Sequence, residues 1–134
     1  MPAVSVTVNQ ISTSASSAFV RGHSFTMDRP EAKGGSNQGM MGGEALLAGL
    51  GGCFMSNVLA AAVAREIPAS NVETVVTGQL AEEGPSRFVA INLSVSGNGC
   101  SPDEFAKLVT VAERGCIVAN TLRSSVELSV QVVS

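Results

Sequence analysis

Two cysteines stand where their side chains could perform thiol chemistry. Cys53 lies in a long uncharged stretch, residues 45–64, that is bounded by Glu44 and Arg65. Cys116 follows a helical run and a glycine in the segment Ala-Glu-Arg-Gly-Cys. A thiol becomes a useful nucleophile when a positive charge, a histidine or a helix N-terminus stabilises its thiolate. Two thiols on two helical segments therefore favour redox chemistry over a structural disulfide.

The sequence leaves open which of the two thiols attacks. Cys53 lies in the middle of a predicted helix, where the helix dipole gives no help, so its thiolate needs a basic side chain from elsewhere. Three basic residues are candidates, namely Arg21, His23 and Arg29. Cys116 is at the start of the last predicted helix, where the dipole can lower its pKa. Spacing alone does not separate the two roles.

The other polar and glycine-rich features favour no cofactor. Cys100 stands in a polar turn and is expected to be dispensable, and His23 is interpreted as an ordinary strand residue. The chain has no Cys-x-x-Cys pair that would suit zinc, so we expect no metal. The glycine-rich segment 34–52 lacks Gly-Lys-Ser/Thr, so we expect no phosphate-binding loop. A free buried cysteine can also serve packing alone, which is the inert alternative.

Size and charge indicate a single domain, residues 1–134, that associates with itself. The 134 residues are enough for one core without disulfide staples. Charged residues make up 14%, and the mean hydropathy is +0.30, so the chain has more apolar surface than a monomer of this size should need. A net charge of −3 and the absence of Trp and Tyr argue against binding to nucleic acid.

The location of the protein is predicted to be cytoplasmic. The N-terminal sequence MPAVSVTV has neither a basic region nor an apolar core of the kind found in signal peptides. Residues 45–64 are long enough to cross a membrane, but they are mostly Ala and Gly and contain Ser56 and Asn57. We therefore interpret this stretch as a buried helix and expect no membrane partner.

Alternating and helical spacings predict the order β-β-α-β-β-α-α-β. Strands are predicted around Val4 to Val8, over Phe19–Met27, Val72–Leu80 and Phe88–Val95, and at the alternating positions Val126, Leu128, Val130 and Val132. Helices are predicted over Glu44–Glu66, from the capping residue Ser101 to Gly115, and over Cys116–Leu122. A glycine-rich loop, Asp28–Gly43, precedes the central helix. This mixture is typical of the α+β class, and a central helix that is apolar on every face favours two intertwined chains.

Two segments resemble known motifs. Residues 43–54, GEALLAGLGGCF, are similar to the first helical motif of the OsmC/Ohr superfamily, which carries that family's first reactive cysteine. Residues 112–118, AERGCIV, together with Leu122, resemble the segment around the second cysteine. The two motifs, their separation and the predicted element order cover nearly the whole chain.

The resemblance implies an OsmC-like intertwined homodimer that reduces small organic hydroperoxides in oxidative stress defence. Cys53 would be the peroxidatic thiolate, and Cys116 would capture its sulfenic acid as a disulfide. An arginine of the N-terminal strand region, Arg21 or alternatively Arg29, would activate Cys53, with Glu44 as its ion-pair partner. A dithiol or lipoyl-type reductant would restore the thiols, and no cofactor is required.

Two other functions stay open at this point. The same dimer cleft could bind a small molecule, with the thiols as redox sensors and with little turnover. Alternatively, the protein could be a structural dimer with inert thiols. The thiols can act as a catalytic pair only if the fold brings Cys53 and Cys116 within disulfide reach.

Overall fold

The computed structural model describes residues 2–133 and confirms the α+β class. This part of the chain forms two small antiparallel sheets and three α-helices. The elements in chain order are β1 (Thr7–Gln10), β2 (Ser16–Val20), β3 (His23–Met27), a 3₁₀ turn (Glu31–Lys33), α1 (Gly42–Ala64), β4 (Ser70–Leu80), β5 (Phe88–Asn98), α2 (Pro102–Gly115) and α3 (Ile117–Arg123). The chain divides into two compact units at Leu46/Leu47.

The first unit contains the three-stranded sheet β1-β2-β3 and a hairpin that the sequence did not predict. The expected single strand Phe19–Met27 is wrong, because β2 and β3 pair with each other through Val20 and His23. Arg21 and Gly22 form the two-residue turn, with φ angles of 51° and 81°. Positive φ at both positions matches the right-handed twist of a tight hairpin. Arg21 therefore lies in a turn and not on a strand face.

A buried carboxylate organises the loop between β3 and α1. Asp28 is only 4% exposed, and its side chain accepts backbone N–H hydrogen bonds from Arg29, Ser36 and Gln38 at 2.7, 3.1 and 3.2 Å. Burial of this carboxyl raises its pKa, but these amides and the Ser14 side chain outweigh burial, so the pKa lies below its ordinary value. The glycine-rich loop is thus an ordered ring around one anion.

Helix α1 supplies the core of the second unit along one face. Its 23 residues span about 34 Å. The buried positions follow helical spacing and are Leu50, Phe54, Val58, Ala61 and Ala62. The expectation of burial on every face is wrong for the single chain, because Leu59 and Val63 are 48% and 80% exposed. By length and composition α1 could cross a membrane, but its inner face carries the packing of a core helix.

The hairpin β4–β5 and helix α2 close the core over α1, as the sequence predicts. Inward side chains alternate along both strands, including Val76 on β4 and Leu93 on β5. The hydroxyl of Ser101 accepts the Glu104 N–H, and the Glu104 carboxylate accepts the Ser101 N–H, which completes the predicted capping box of α2. Leu108 is fully buried on the inner face of α2.

The predicted last strand does not form within the single chain. Residues 125–133 have no strand structure, and Val126, Leu128, Val130 and Val132 are between 63% and 97% exposed. An alternating sequence supplies side chains that suit a sheet, but a strand also needs a neighbouring backbone for its hydrogen bonds. At the other end, the first strand begins only at Thr7, so Val4 and Val6 precede the ladder.

Candidate active site

The fold brings the two helical cysteines together in the second unit. Cys53 lies on α1 and is half-buried, and Cys116 is fully buried at the junction between α2 and α3. Cys53 packs against the core cluster that contains Cys116, and each thiol shifts the pKa of the other. Two neighbouring thiols from segments distant in sequence form an arrangement that suits thiol–disulfide chemistry.

Backbone amides at the start of α3 stabilise the Cys53 thiolate. The Val118 N–H has the largest effect and lowers the pKa of the Cys53 thiol. Burial opposes this effect, while the Cys116 thiol and the Ile117 N–H add to it, so the pKa lies below that of an ordinary cysteine. The sequence indicates only a basic side chain as the source of this stabilisation, and the amides of a different helix are a source that it did not predict.

Cys116 has the opposite electrostatic environment. Burial raises the pKa of its thiol, the hydrogen bond and charge of Cys53 raise it further, and the amides of Ala119 and Val118 compensate only in part. Cys116 is the N-cap residue of α3, and its Sγ accepts the Ala119 N–H at 3.5 Å. The amides at the start of α3 lower this pKa as expected, but burial and Cys53 outweigh them, so the pKa of Cys116 is raised. The pair consists of one thiol with a lowered pKa and one with a raised pKa.

Sequence reasoning missed the residues that hold this pair in place. Val118 acts through its backbone, so its side chain gives no signal in the sequence. Asn57 is one helical turn after Cys53, and its Nδ2 donates to the Cys53 carbonyl oxygen at 2.8 Å. A polar amide in an uncharged stretch of α1, four residues after the reactive cysteine, was the available signal.

Glu44 has a local partner at the start of α1. Its Oε1 accepts the Met41 N–H at 2.8 Å, which is one half of a capping box. Across residues 2–133 the one ion pair joins Arg123 to Glu113, so Glu44 has no arginine partner in the described chain. Its role beside an arginine stays a prediction.

The predicted basic residues belong to the first unit, whereas the thiols belong to the second. Arg21 is exposed in the β2–β3 turn, His23 is exposed at the start of β3, and Arg29 is exposed beside the buried Asp28. Cys100 is half-buried in the turn before α2. Between residues 2 and 133 no cluster of three His, Cys, Asp or Glu side chains could hold a metal ion.

A small cavity lies between β5, α2 and α3. Its volume is about 250 Å³, and apolar side chains including Phe54, Leu93 and Val109 line it. The ion-paired Glu113 and Arg123 also line it, so the cavity combines apolar and charged walls. Such a mixture suits a small amphipathic molecule.

Comparison with known sequences places both thiols inside the segment that matches one protein family. The OsmC-like protein family matches residues 35–131, which include Glu44, Cys53 and Cys116 but neither Arg21 nor Arg29. The chain belongs to the OsmC-like protein family. No protein with a curated description matches it in sequence.

Solved structures share the fold of this OsmC-like protein. The OsmC-like protein from Mycoplasma pneumoniae is 24% identical, with a TM-score of 0.77 over 91% of this chain and 88% of that one. The organic hydroperoxide resistance protein OsmC from Legionella pneumophila is 18% identical, with a TM-score of 0.62 over 92% of each chain. The organic hydroperoxide resistance protein from Elizabethkingia anophelis is 16% identical, with a TM-score of 0.63 over 94% of this chain and 93% of that one. At these identities the likeness shows a common fold.

Proposed function

We propose that this OsmC-like protein is a thiol-dependent peroxidase that reduces organic hydroperoxides in defence against oxidative stress. One observation carries the proposal: Cys53 packs against the core cluster that contains Cys116, and their surroundings shift the pKa values of the two thiols in opposite directions. A peroxidatic thiol has to be a thiolate, and the thiol that later resolves its sulfenic acid is best kept protonated until then. The organic hydroperoxide resistance proteins among the structural relatives support the same substrate class.

The reaction requires two bond exchanges at sulfur. The Cys53 thiolate attacks the terminal oxygen of the hydroperoxide, the O–O bond breaks, and the organic alkoxide takes up a proton and leaves as an alcohol. Cys53 is then a sulfenic acid. The Cys116 sulfur attacks Cys53, its proton joins the departing hydroxide as water, and a disulfide forms. An external dithiol, for example a lipoyl-type carrier, restores both thiols by exchange and is itself oxidised.

The amides at the start of α3 do part of the activation, and an arginine is proposed to do the rest. A guanidinium is permanently charged and can address both sulfur and the departing oxygen. Arg21 is the first candidate and Arg29 the second. Glu44 is proposed to orient that arginine with the carboxylate whose Oε1 already accepts the Met41 N–H.

The active form is proposed to be a cytoplasmic homodimer. The single chain exposes Leu59 and Val63 on α1 and the alternating apolar residues of segment 125–133. Surface of this kind is normally buried by association. Sedimentation at micromolar concentration should give a dimer, and a monomer would contradict the proposal.

Consumption of cumene hydroperoxide with a dithiol reductant tests the activity. The wild type and Cys100→Ser should turn over, whereas Cys53→Ser should fall to the uncatalysed rate. Peptide mapping after stoichiometric peroxide should show one Cys53–Cys116 bridge within one chain. Full activity of Cys53→Ser, or Cys100 in the bridge, would contradict the assignment.

Replacement of each arginine separates the two candidates. Arg21→Met should slow peroxide reduction by at least about tenfold, which corresponds to roughly 1.4 kcal/mol of transition-state stabilisation. If Arg29→Met has this effect and Arg21→Met has none, the loop arginine has the role. If neither variant is slower, activation rests on the backbone amides and the arginine hypothesis is wrong.

A ligand-binding or redox-sensing protein is the second candidate function. The cavity between β5, α2 and α3 favours it, since its walls suit a small amphipathic ligand. This candidate predicts that peroxide forms one bridge per chain but that dithiol-driven turnover is absent. Sustained turnover would exclude it.

A further inference from the structure

Asn57 is held in one orientation by α1 itself. Its Nδ2 donates to the Cys53 carbonyl at 2.8 Å, so the side chain lies along the helix toward Cys53 and cannot rotate without losing this bond. Asparagine is a poor residue for a helix interior, because its amide competes with the backbone for hydrogen bonds. A half-buried asparagine within α1 therefore has a cost that a packing role alone would not require.

The other end of the Asn57 amide meets Gly115. A Cβ placed on Gly115 would lie 2.9 Å from Asn57 Oδ1, which is closer than side-chain carbons approach such atoms, and it would meet nothing else beyond the Asn57 amide within 4 Å. The φ angle of Gly115 is not among the positive ones. Glycine is thus required here by space and not by backbone conformation. Asn57 is the one side chain that an added Cβ at Gly115 would approach too closely.

This contact is adjacent to both thiols. Asn57 follows Cys53 by one helical turn, and Gly115 directly precedes Cys116. The amides of Ile117 and Val118, which lower the pKa of the Cys53 thiol, come immediately afterwards. A change in the separation of Asn57 and Gly115 therefore moves the start of α3 relative to Cys53.

We propose that Asn57 and Gly115 form a spacer that sets the distance between the Cys53 sulfur and the first amides of α3. Both are positioning residues, since neither contacts the substrate in the proposed peroxidase reaction, on which their catalytic meaning rests. Hydrogen bonds weaken steeply with distance and angle. A displacement of a few tenths of an ångström at the spacer accordingly destabilises the Cys53 thiolate and also moves the Cys53 and Cys116 sulfurs apart.

A double-mutant cycle tests the spacer in a Cys100→Ser background. Gly115→Ala adds the Cβ that meets Asn57, so the pKa of Cys53, followed by thiolate absorbance at 240 nm, should rise. Closure of the Cys53–Cys116 bridge by diamide should slow by at least about fivefold. Asn57→Ser shortens the side chain, and in the Gly115→Ala protein it should bring both measurements back toward the wild type.

Three outcomes overturn the proposal. The first is an unchanged titration and bridge closure in Gly115→Ala. The second is a Gly115→Ala defect that Asn57→Ser does not relieve, since the defect would then belong to the helix junction alone. The third applies if Gly115→Ala does not fold, in which case Asn57→Ser alone decides. Loss of the spacer in this variant should raise the pKa of Cys53, and an unchanged pKa contradicts the proposal.

The two measurements allow the spacer proposal to be tested independently of the peroxidase proposal. Diamide closure and thiolate titration need no hydroperoxide. If the cycle behaves as expected while the wild type does not reduce cumene hydroperoxide, the spacer stands and the peroxidase proposal fails. If the wild type turns over but the cycle shows no coupling, the spacer alone is wrong.

Discussion

Two acidic side chains in this OsmC-like protein, one in each unit, are stabilised in the same way with different results. Backbone amides lower the pKa of both Asp28 in the first unit and Cys53 in the second. An aspartate is ionised at neutral pH in any case, so the amides around Asp28 serve only to hold the loop in its conformation. A cysteine is mostly protonated at neutral pH, so the amides around Cys53 increase the fraction of nucleophilic thiolate.

The origin of the amides also differs. Those around Asp28 come from Arg29, Ser36 and Gln38, within the same loop, so the ring closes locally. Those that act on Cys53 come from Ile117 and Val118 of α3. Only the tertiary fold brings these residues to α1. The carboxylate of Asp28 is thus stabilised by residues close to it in sequence, whereas the thiolate of Cys53 depends on packing between helices.

The largest expected effect is the loss of the anion from the ring. Asp28→Ala leaves the Ser36 and Gln38 amides without their acceptor in a buried setting, which is costly for each donor. Hydrogen exchange at those two amides should accelerate by at least about tenfold, since the ring opens more often. Asp28→Asn, which keeps one acceptor oxygen, should give a smaller change. Unchanged exchange in Asp28→Ala would show that the loop is held without its carboxylate.

The next effect concerns the thiol pair. In a Cys100→Ser background, Cys116→Ala removes the hydrogen bond that the Cys116 thiol gives Cys53, so the pKa of Cys53 should rise. Alkylation of Cys53 by iodoacetamide at pH 7 should slow by a factor on the order of three, because the thiolate fraction falls. Cys116→Ser keeps a hydroxyl donor and should stay near the wild-type rate. Equal rates in both variants would mean that the α3 amides act alone.

A third test uses the pH dependence of stability. Asp28 has a lowered pKa in the folded protein, so its ionised form stabilises the fold above the ordinary aspartate pKa, and this contribution is lost as pH falls through the folded value. Urea unfolding of the wild type and Asp28→Asn should differ at pH 7 and converge in acid. The pKa of Cys53 is also lowered, so Cys53→Ser should remove a rise in stability that the wild type shows as pH increases from the folded pKa of this thiol to its ordinary pKa. A constant wild-type to Asp28→Asn difference from pH 7 into acid would contradict the role of ionisation.

The smallest effect is expected where two full charges meet at the surface. Glu113 and Arg123 form an ion pair with side chains that are 54% and 55% exposed. Water and salt screen such a pair, so Glu113→Gln should change the free energy of unfolding by less than about 0.5 kcal/mol. Chemical denaturation measures this change. A loss several times larger would mean that this pair matters more than the amide-held anions.

Local patterns were sufficient for much of the fold. Helix α1, the hairpin β4–β5 and the capping box at Ser101 follow from hydrophobic period and cap residues, and the structure agrees with them to within a few residues. The β2–β3 hairpin was missed because an arginine at positive φ is uncommon and the flanking alternation continues through it. Segment 125–133 carries a strand pattern without a strand, because a pattern does not supply a pairing partner.

The candidate site was predictable in its side chains but not in its backbone. Cys53 and Cys116 were identified from their motifs, and the fold brings them together. The amide of Val118 was not predictable, because every residue except proline carries such a donor and only the packing of α3 selects one. The proposed spacer of Asn57 and Gly115 depends on the same packing.

The source of thiolate stabilisation at Cys53 also determines how the site should respond to its solvent. Mobile ions screen the field of an exposed guanidinium, whereas the backbone amides that lower the Cys53 pKa act at short range on a half-buried thiol. The part of Cys53 reactivity that comes from Val118 and Ile117 should therefore persist at high ionic strength. Any part that potassium chloride suppresses would report the arginine, so a simple salt series can apportion the two sources.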